Sequence, residues 1–198
     1  NYLAWYRLTR GQKLDVKVFG SAKLYTNSKV RNPYLDETLR KKYTEAQKYW
    51  EKDNPQILDK LNQILGSNPP QDSESKAKLL FQFVVNYLKY DPGRLKDNIT
   101  RLGAVTALNN PNSAVCMEFT DLFIALARAA GIPARELDGY AYTSNTTLRP
   151  LSLAGGVFDT GGVFDTKDIL HAWPEYWDDR RGWIMVDPTW ENTTGGVD

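Results

Sequence analysis

The sequence predicts an α+β fold, with helices first and an antiparallel sheet after them. Apolar residues recur at helical spacing in several segments between residues 35 and 130, and the period changes to two beyond residue 135. With 198 residues, 41% of them apolar, the chain can bury one moderate core, or one domain plus a small appendage.

Residues 1–32 carry strand-like text. "KLDVKVFGSAKLY" alternates Leu14, Val16 and Val18 with charged neighbours and turns near Gly20-Ser21. Two strands are a marginal unit alone. The expectation is a β-hairpin, or the tail of a preceding β-domain, over 1–32, with the main domain over 33–198. The chain opens Asn-Tyr-Leu, without Met or a signal-peptide pattern, so it reads as a piece of a longer protein with no targeting segment of its own. An extracytoplasmic or membrane-anchored parent is compatible with this.

From Leu35 to Leu65 the text is helical and highly charged. "PQILDKLNQIL" places Ile57, Leu58, Leu61, Ile64 and Leu65 on one stripe, and Gly66 follows as a stop. "SNPPQDSES" is a loop. "SESKAKLLFQFVVNYLKY" is a helix with Ala77, Leu80, Phe81, Val84, Val85 and Leu88 on its apolar face, ended by Asp91-Pro92-Gly93. Residues 94–113 read as polar and irregular.

In "NSAVCMEFTDLFIALARAAGIPAR", Phe119, Leu122, Phe123, Leu126, Ala127 and Ala130 form a core-facing stripe. Gly131 suits the left-handed position after a helix, and Pro133 cannot continue it. Ser113 or Asn112 can cap the start. Cys116 then falls in the first helical turn. "ELDGYAY", "DILHAWPEYW" and "GWIMVDPTW" read as three strands, the last two joined by the hairpin loop "DDRRG". The duplicated hexads "GGVFDTGGVFDT", 155–166, read as a surface loop or a hairpin turning at Gly161-Gly162, or else as a flap leading into the strand of His171.

Cys116 is the only cysteine and His171 the only histidine. One of each makes neither an internal disulfide nor a zinc site, and no calcium-loop spacing occurs, so no metal or cofactor is expected. A net charge of +1 gives no reason to expect nucleic acid, and no apolar run is long enough to insert in a membrane. Cys116 is either a buried structural thiol or a nucleophile. A helix start, with its unpaired N–H groups and positive dipole end, favours a thiolate. His171 shares a strand face with Trp173, Glu175 and Trp177, and a strand holds a base in fixed orientation. A carboxylate should orient the imidazole. Asp187, in the apolar setting "MVDPTW", is the candidate; the other reading is an Asp-Pro turn at a strand end. With a five-residue hairpin loop the register sum is even, which sets His171 opposite or diagonal to Asp187 on one face. An odd register would separate them.

"AVCMEFTDLFIALARAAGIPARELDGYAY", "ILHAWPEYW" and "GWIMVDPTW" together resemble the transglutaminase-like superfamily, from about Ser75 to Thr189. The resemblance implies a papain-like core in which a Cys-bearing helix packs on a sheet carrying His and Asp. It maps Cys116 to the nucleophile, His171 to the base and Asp187 to the orienting carboxylate. It implies thiol acyl transfer on protein or peptide amides through a thioester, by a peptidase, amidase or transglutaminase, with a slight lean towards hydrolysis. Papain-type enzymes place a Gln shortly before the Cys in the oxyanion hole, but Gln82 is the last Gln here. Asn110 and Asn112 are the nearest amides, and the Cys116 backbone N–H is the safer donor. Trp173 and Trp190 are expected either to wall the site and exclude water or to serve as ordinary core. Relatives usually continue with further sheet beyond "DPTWENTTGGVD", so more C-terminal strands are expected. The rival expectation is a non-catalytic binding or scaffold module with a degenerate site.

Overall fold

The computed structural model describes residues 7–14, 33–95, 99–141 and 169–195. The expected turn of the N-terminal hairpin and the duplicated hexads lie outside the described residues.

Four side chains start the helices as local chemistry dictates. Asp36 caps α1 (Glu37–Lys42), accepting from Leu39 N, and Asn54 caps α2 (Pro55–Leu65), accepting from Gln56 N. Pro55 fills the first helical position of α2, where a missing N–H costs nothing. Asp72 accepts from Ser75 N at 2.8 Å to start α3 (Ser73–Tyr87). Asp187 caps the last helix, described below. Ile57 and Leu61 of α2, and Ala77, Leu80 and Val84 of α3, are buried together, as the spacing predicts, but Leu58 of the expected α2 stripe is exposed, lying off the face that packs.

Residues 94–113 are not irregular throughout. They hold α4 (Ala104–Asn109), whose Ala104, Ala107 and Leu108 are buried. It has no side-chain cap. Its N-terminus is held instead by Glu51, which accepts from Ala104 N at 3.0 Å. That partner lies 53 residues away in sequence, which explains why local patterning passed over the element.

The central helix α5 (Cys116–Ala129) contacts α2, α3, α4 and both long strands. Its end forms a Schellman motif. Gly131 has φ 77°, its N–H donates to Arg128 O, and Ile132 N donates to Ala127 O. Its start differs from expectation. The N-cap is Val115, not Ser113 or Asn112, and the Glu118 carboxylate supplies the acceptor, taking the Val115 N–H at 3.0 Å. Burial also extends beyond one stripe. Glu118, Thr120, Asp121 and Arg128 are buried beside Phe119, Leu122, Phe123, Ile124, Ala125, Leu126 and Ala127. A helix enclosed on all sides must pair its polar residues. Asp121 accepts from Trp50 Nε1 at 2.7 Å and from the Arg101 guanidinium, which also reaches Glu136 at 2.8 Å. Arg128 donates to Ala134 O and Glu45 O.

Three antiparallel strands follow in the order β1-β2-β3: β1 (Ala134–Ala141), β2 (Ile169–Asp178) and β3 (Gly182–Met185). β2 is therefore central and paired on both sides. Asp178 pairs with Gly182 and Glu175 with Met185, so the hairpin loop is Asp179–Arg181, shorter than expected but of the same even parity. β3 ends at Met185, and "DPTW" is not strand. It begins α6 (Pro188–Thr194), because Asp187 accepts from Trp190 N at 2.9 Å and Pro188 takes the first helical position. Among the described residues no helix is long and apolar enough to cross a membrane.

Candidate active site

Cys116 is the first residue of α5 and is partly exposed. Its backbone N–H is among those that no intrahelical acceptor can satisfy. His171 lies near the start of the central strand and is buried. Across from it Gly139 is the β1 partner. The buried Thr120 hydroxyl, one turn into α5, donates to Ala172 O at 3.1 Å. This bond ties the helix bearing the cysteine to the strand bearing the histidine, four residues after Cys116 and one after His171. Sequence periodicity gave no sign of it, since a threonine in a helix usually reads as surface.

The imidazole sits between two groups. His171 Nε2 lies 2.7 Å from Asp187 Oδ2. Nδ1 is buried and makes no aligned hydrogen bond among the described residues. Cys116 nevertheless stands near enough to act on the ring. Burial alone would depress the His171 pKa, but the hydrogen bond to Asp187, the interaction with Cys116 and the charges of both raise it to about 9. With Nε2 committed to Asp187, Nδ1 is the nitrogen left for the sulfur. A loose contact at this nitrogen is ordinary before substrate arrives.

Asp187 has both carboxylate oxygens assigned. Oδ1 takes the Trp190 N–H and Oδ2 faces His171. The Asp-Pro helix start and the carboxylate contact to the imidazole, alternatives on sequence alone, are thus made by one side chain.

Two tryptophans pack on the imidazole. Trp173 lies nearly parallel to it, 5.8 Å away and 24° from coplanar, and Trp190 meets it edge-on at 6.4 Å. Both indole Nε1 atoms are buried without a hydrogen-bond partner among the described residues. Gly139 makes room for the first ring: a Cβ there would meet Trp173 Cη2 at 2.6 Å. Among the described residues neither asparagine side chain has a hydrogen bond to this cluster. Asn110 ends α4 and donates to Thr106 O, and Asn112 is exposed in the next loop.

A sequence model described as "Transglutaminase-like superfamily" matches residues 60–188. The chain belongs to this superfamily. The match spans α5, the sheet and Asp187. Among transglutaminase-like relatives, a protein-glutamine gamma-glutamyltransferase of Pseudomonas aeruginosa is 36% identical over 84 residues, which is 42% of this chain and 11% of that protein. YebA of Bacillus subtilis, of uncharacterised function, is 31% identical over 74 residues, 37% of this chain and 9% of its own. The matched stretch therefore spans about a tenth of the curated relatives' length. The periplasmic domain of TgpA from Pseudomonas aeruginosa superposes with a TM-score of 0.52 at 25% identity, covering 79% of this chain and 49% of that one. A candidate cysteine protease from Cytophaga hutchinsonii gives a TM-score of 0.56 at 24% identity, covering 78% of this chain and 43% of that one. These superpositions establish the papain-like, transglutaminase-like fold.

Proposed function

We propose that this domain is a thiol acyl-transfer enzyme acting on amides of proteins or peptides, with Cys116 as nucleophile, His171 as base and Asp187 as orienting carboxylate. The observation that carries the reading is the imidazole bound by Asp187 at Nε2, with Nδ1 left over beside Cys116. Such an arrangement keeps one nitrogen free to exchange a proton with sulfur.

In the first half-reaction Cys116 Sγ bonds to the amide carbonyl carbon, with its proton carried on His171 Nδ1. The tetrahedral oxyanion lies near the Cys116 N–H. The rings of Trp173 and Trp190 pack on the imidazole and exclude water from it. Collapse breaks the C–N bond, His171 returns the proton to the leaving amine or ammonia, and a thioester remains. In the second half-reaction water or an amine attacks the thioester. His171 takes the proton of the incoming group, and the sulfur leaves.

The 36% identity to a protein named protein-glutamine gamma-glutamyltransferase makes the glutamine side-chain amide the first substrate class to test. The experiment incubates the protein with a glutamine-containing peptide, with and without a primary amine, and weighs the products. A loss of ammonia with amine incorporation identifies a transglutaminase. Deamidation or backbone cleavage identifies a hydrolase. No product from any of these substrates, with Cys116 as unreactive as a free thiol, would favour a binding or scaffold module instead.

A further inference from the structure

Glu118 lies two residues beyond Cys116 and is fully buried, an uncommon place for a glutamate. Its Oε2 accepts from Val115 N at 3.0 Å and from Arg94 Nη1 at 2.7 Å. Its Oε1 accepts from Leu102 N at 2.9 Å, with Arg94 Nη2 at 3.4 Å. Arg94 continues outward, donating to Ser113 O at 2.8 Å and Thr100 O at 2.6 Å. One ion pair thus joins the turn at 92–94, the segment 99–103 and the approach to α5 at 113–116.

We infer that the Arg94–Glu118 pair is the positioning element of the nucleophile. The inference rests on reading Cys116 as that nucleophile. Val115 carries no side-chain acceptor, and the Ala114–Val115 peptide, one before the peptide that enters Cys116, is held by Glu118. Arg94 also fixes the Ser113 carbonyl, two residues earlier in the same approach. The pair has an electrostatic role as well. An uncompensated carboxylate in the first turn would oppose a thiolate there, and the guanidinium cancels it within the buried site. Among the described residues, Arg101 pairs with Asp121 and Glu136, and His171 with Asp187, about the same helix.

The test is iodoacetamide alkylation at mildly acidic pH. Cys116 is the only cysteine, so the rate reads one sulfur. The parent is compared with His171→Ala, Arg94→Lys and Glu118→Gln. Lysine keeps the charge but cannot span the same acceptors as the forked guanidinium. Glutamine keeps the shape and replaces one acceptor oxygen by a donor. The expected result is a fall of roughly 10- to 100-fold in alkylation rate for Arg94→Lys, which keeps the charge, and a smaller fall for Glu118→Gln, where the guanidinium left uncompensated favours the thiolate and offsets part of the lost positioning, with both melting midpoints still well above the assay temperature. A purely structural pair would lower the midpoint and leave the rate of the folded protein unchanged, and that result overturns the inference. If Glu118→Gln does not fold, Arg94→Lys decides alone. If His171→Ala is slowed while Arg94→Lys and Glu118→Gln react as the parent does, the positioning role falls and the thiol–imidazole reading stands. If His171→Ala matches the parent, the reading of the site itself has failed, and the inference with it.

Discussion

Asp187→Asn separates the two functions of this side chain. Asparagine keeps one carbonyl oxygen, which can still accept the Trp190 N–H that Asp187 holds at 2.9 Å. Its amide NH2 then faces His171 Nε2, where the carboxylate stood at 2.7 Å. Two donors cannot share that contact. The neutral ring must place its proton on Nδ1, the nitrogen required to receive a proton from Cys116. The size of the effect follows from the His171 pKa of about 9 against an ordinary 6.5. At about 1.36 kcal/mol per unit, folding favours the imidazolium by about 3 kcal/mol. Burial works against this, so Asp187 and Cys116 together contribute more than the net value. Because the folded pKa is raised, this stability is complete below pH 6.5 and is lost as the pH climbs through about 9. The assay is NMR titration of the imidazole ring, with stability measured across the same pH range. His171 is the only histidine, so its ring signal needs no assignment. The expected midpoint is about 9 in the parent and lower by roughly 2 units in Asp187→Asn, with most of the alkaline loss of stability gone. Acyl transfer should fall by roughly 10³-fold or more through the wrong tautomer. A parent midpoint at the ordinary value, or a variant titrating like the parent, would refute the reasoning.

Cys116→Ala should abolish covalent chemistry and leave folding intact, since Cys116 is only partly buried; acyl-enzyme formation followed by mass checks it. Gly139→Ala should displace Trp173 from the imidazole, because the new methyl meets that ring at 2.6 Å. A loss of about 1–3 kcal/mol in denaturant unfolding, with slower Cys116 alkylation, is the expected pair of results. Arg128→Met should strand the Ala134 and Glu45 carbonyls that the guanidinium now satisfies. It should cost about 2–4 kcal/mol of stability and leave the alkylation rate of the folded protein unchanged.

The parts legible in the sequence are those set by neighbours along the chain. The cysteine at a helix start, the Gly131 terminator and the even parity of the hairpin all follow from spacing a few residues wide. The missed parts depend on distant partners. α4 lacks a cap of its own and takes Glu51. The partners of the buried charged residues of α5 lie outside any local pattern, because Trp50, Arg94 and Arg101, which pair with them, are remote in sequence. α6 is a different kind of miss. Asp-Pro is a readable helix start, but the alternation of "GWIMV" before it suggested that the strand ran on. The same carboxylate had to be seen turning the chain and meeting the histidine before both roles could be assigned to it.

The two bonds of Asp187 also bind separate processes to a single event. The Trp190 amide hydrogen can exchange with water only when the carboxylate lets it go, and a carboxylate that swings free no longer holds the imidazole. Fraying of the first turn of α6 and release of the imidazole are then the same opening. The exchange protection of one backbone proton becomes a gauge of how often the Asp187–His171 contact is assembled, readable without a substrate.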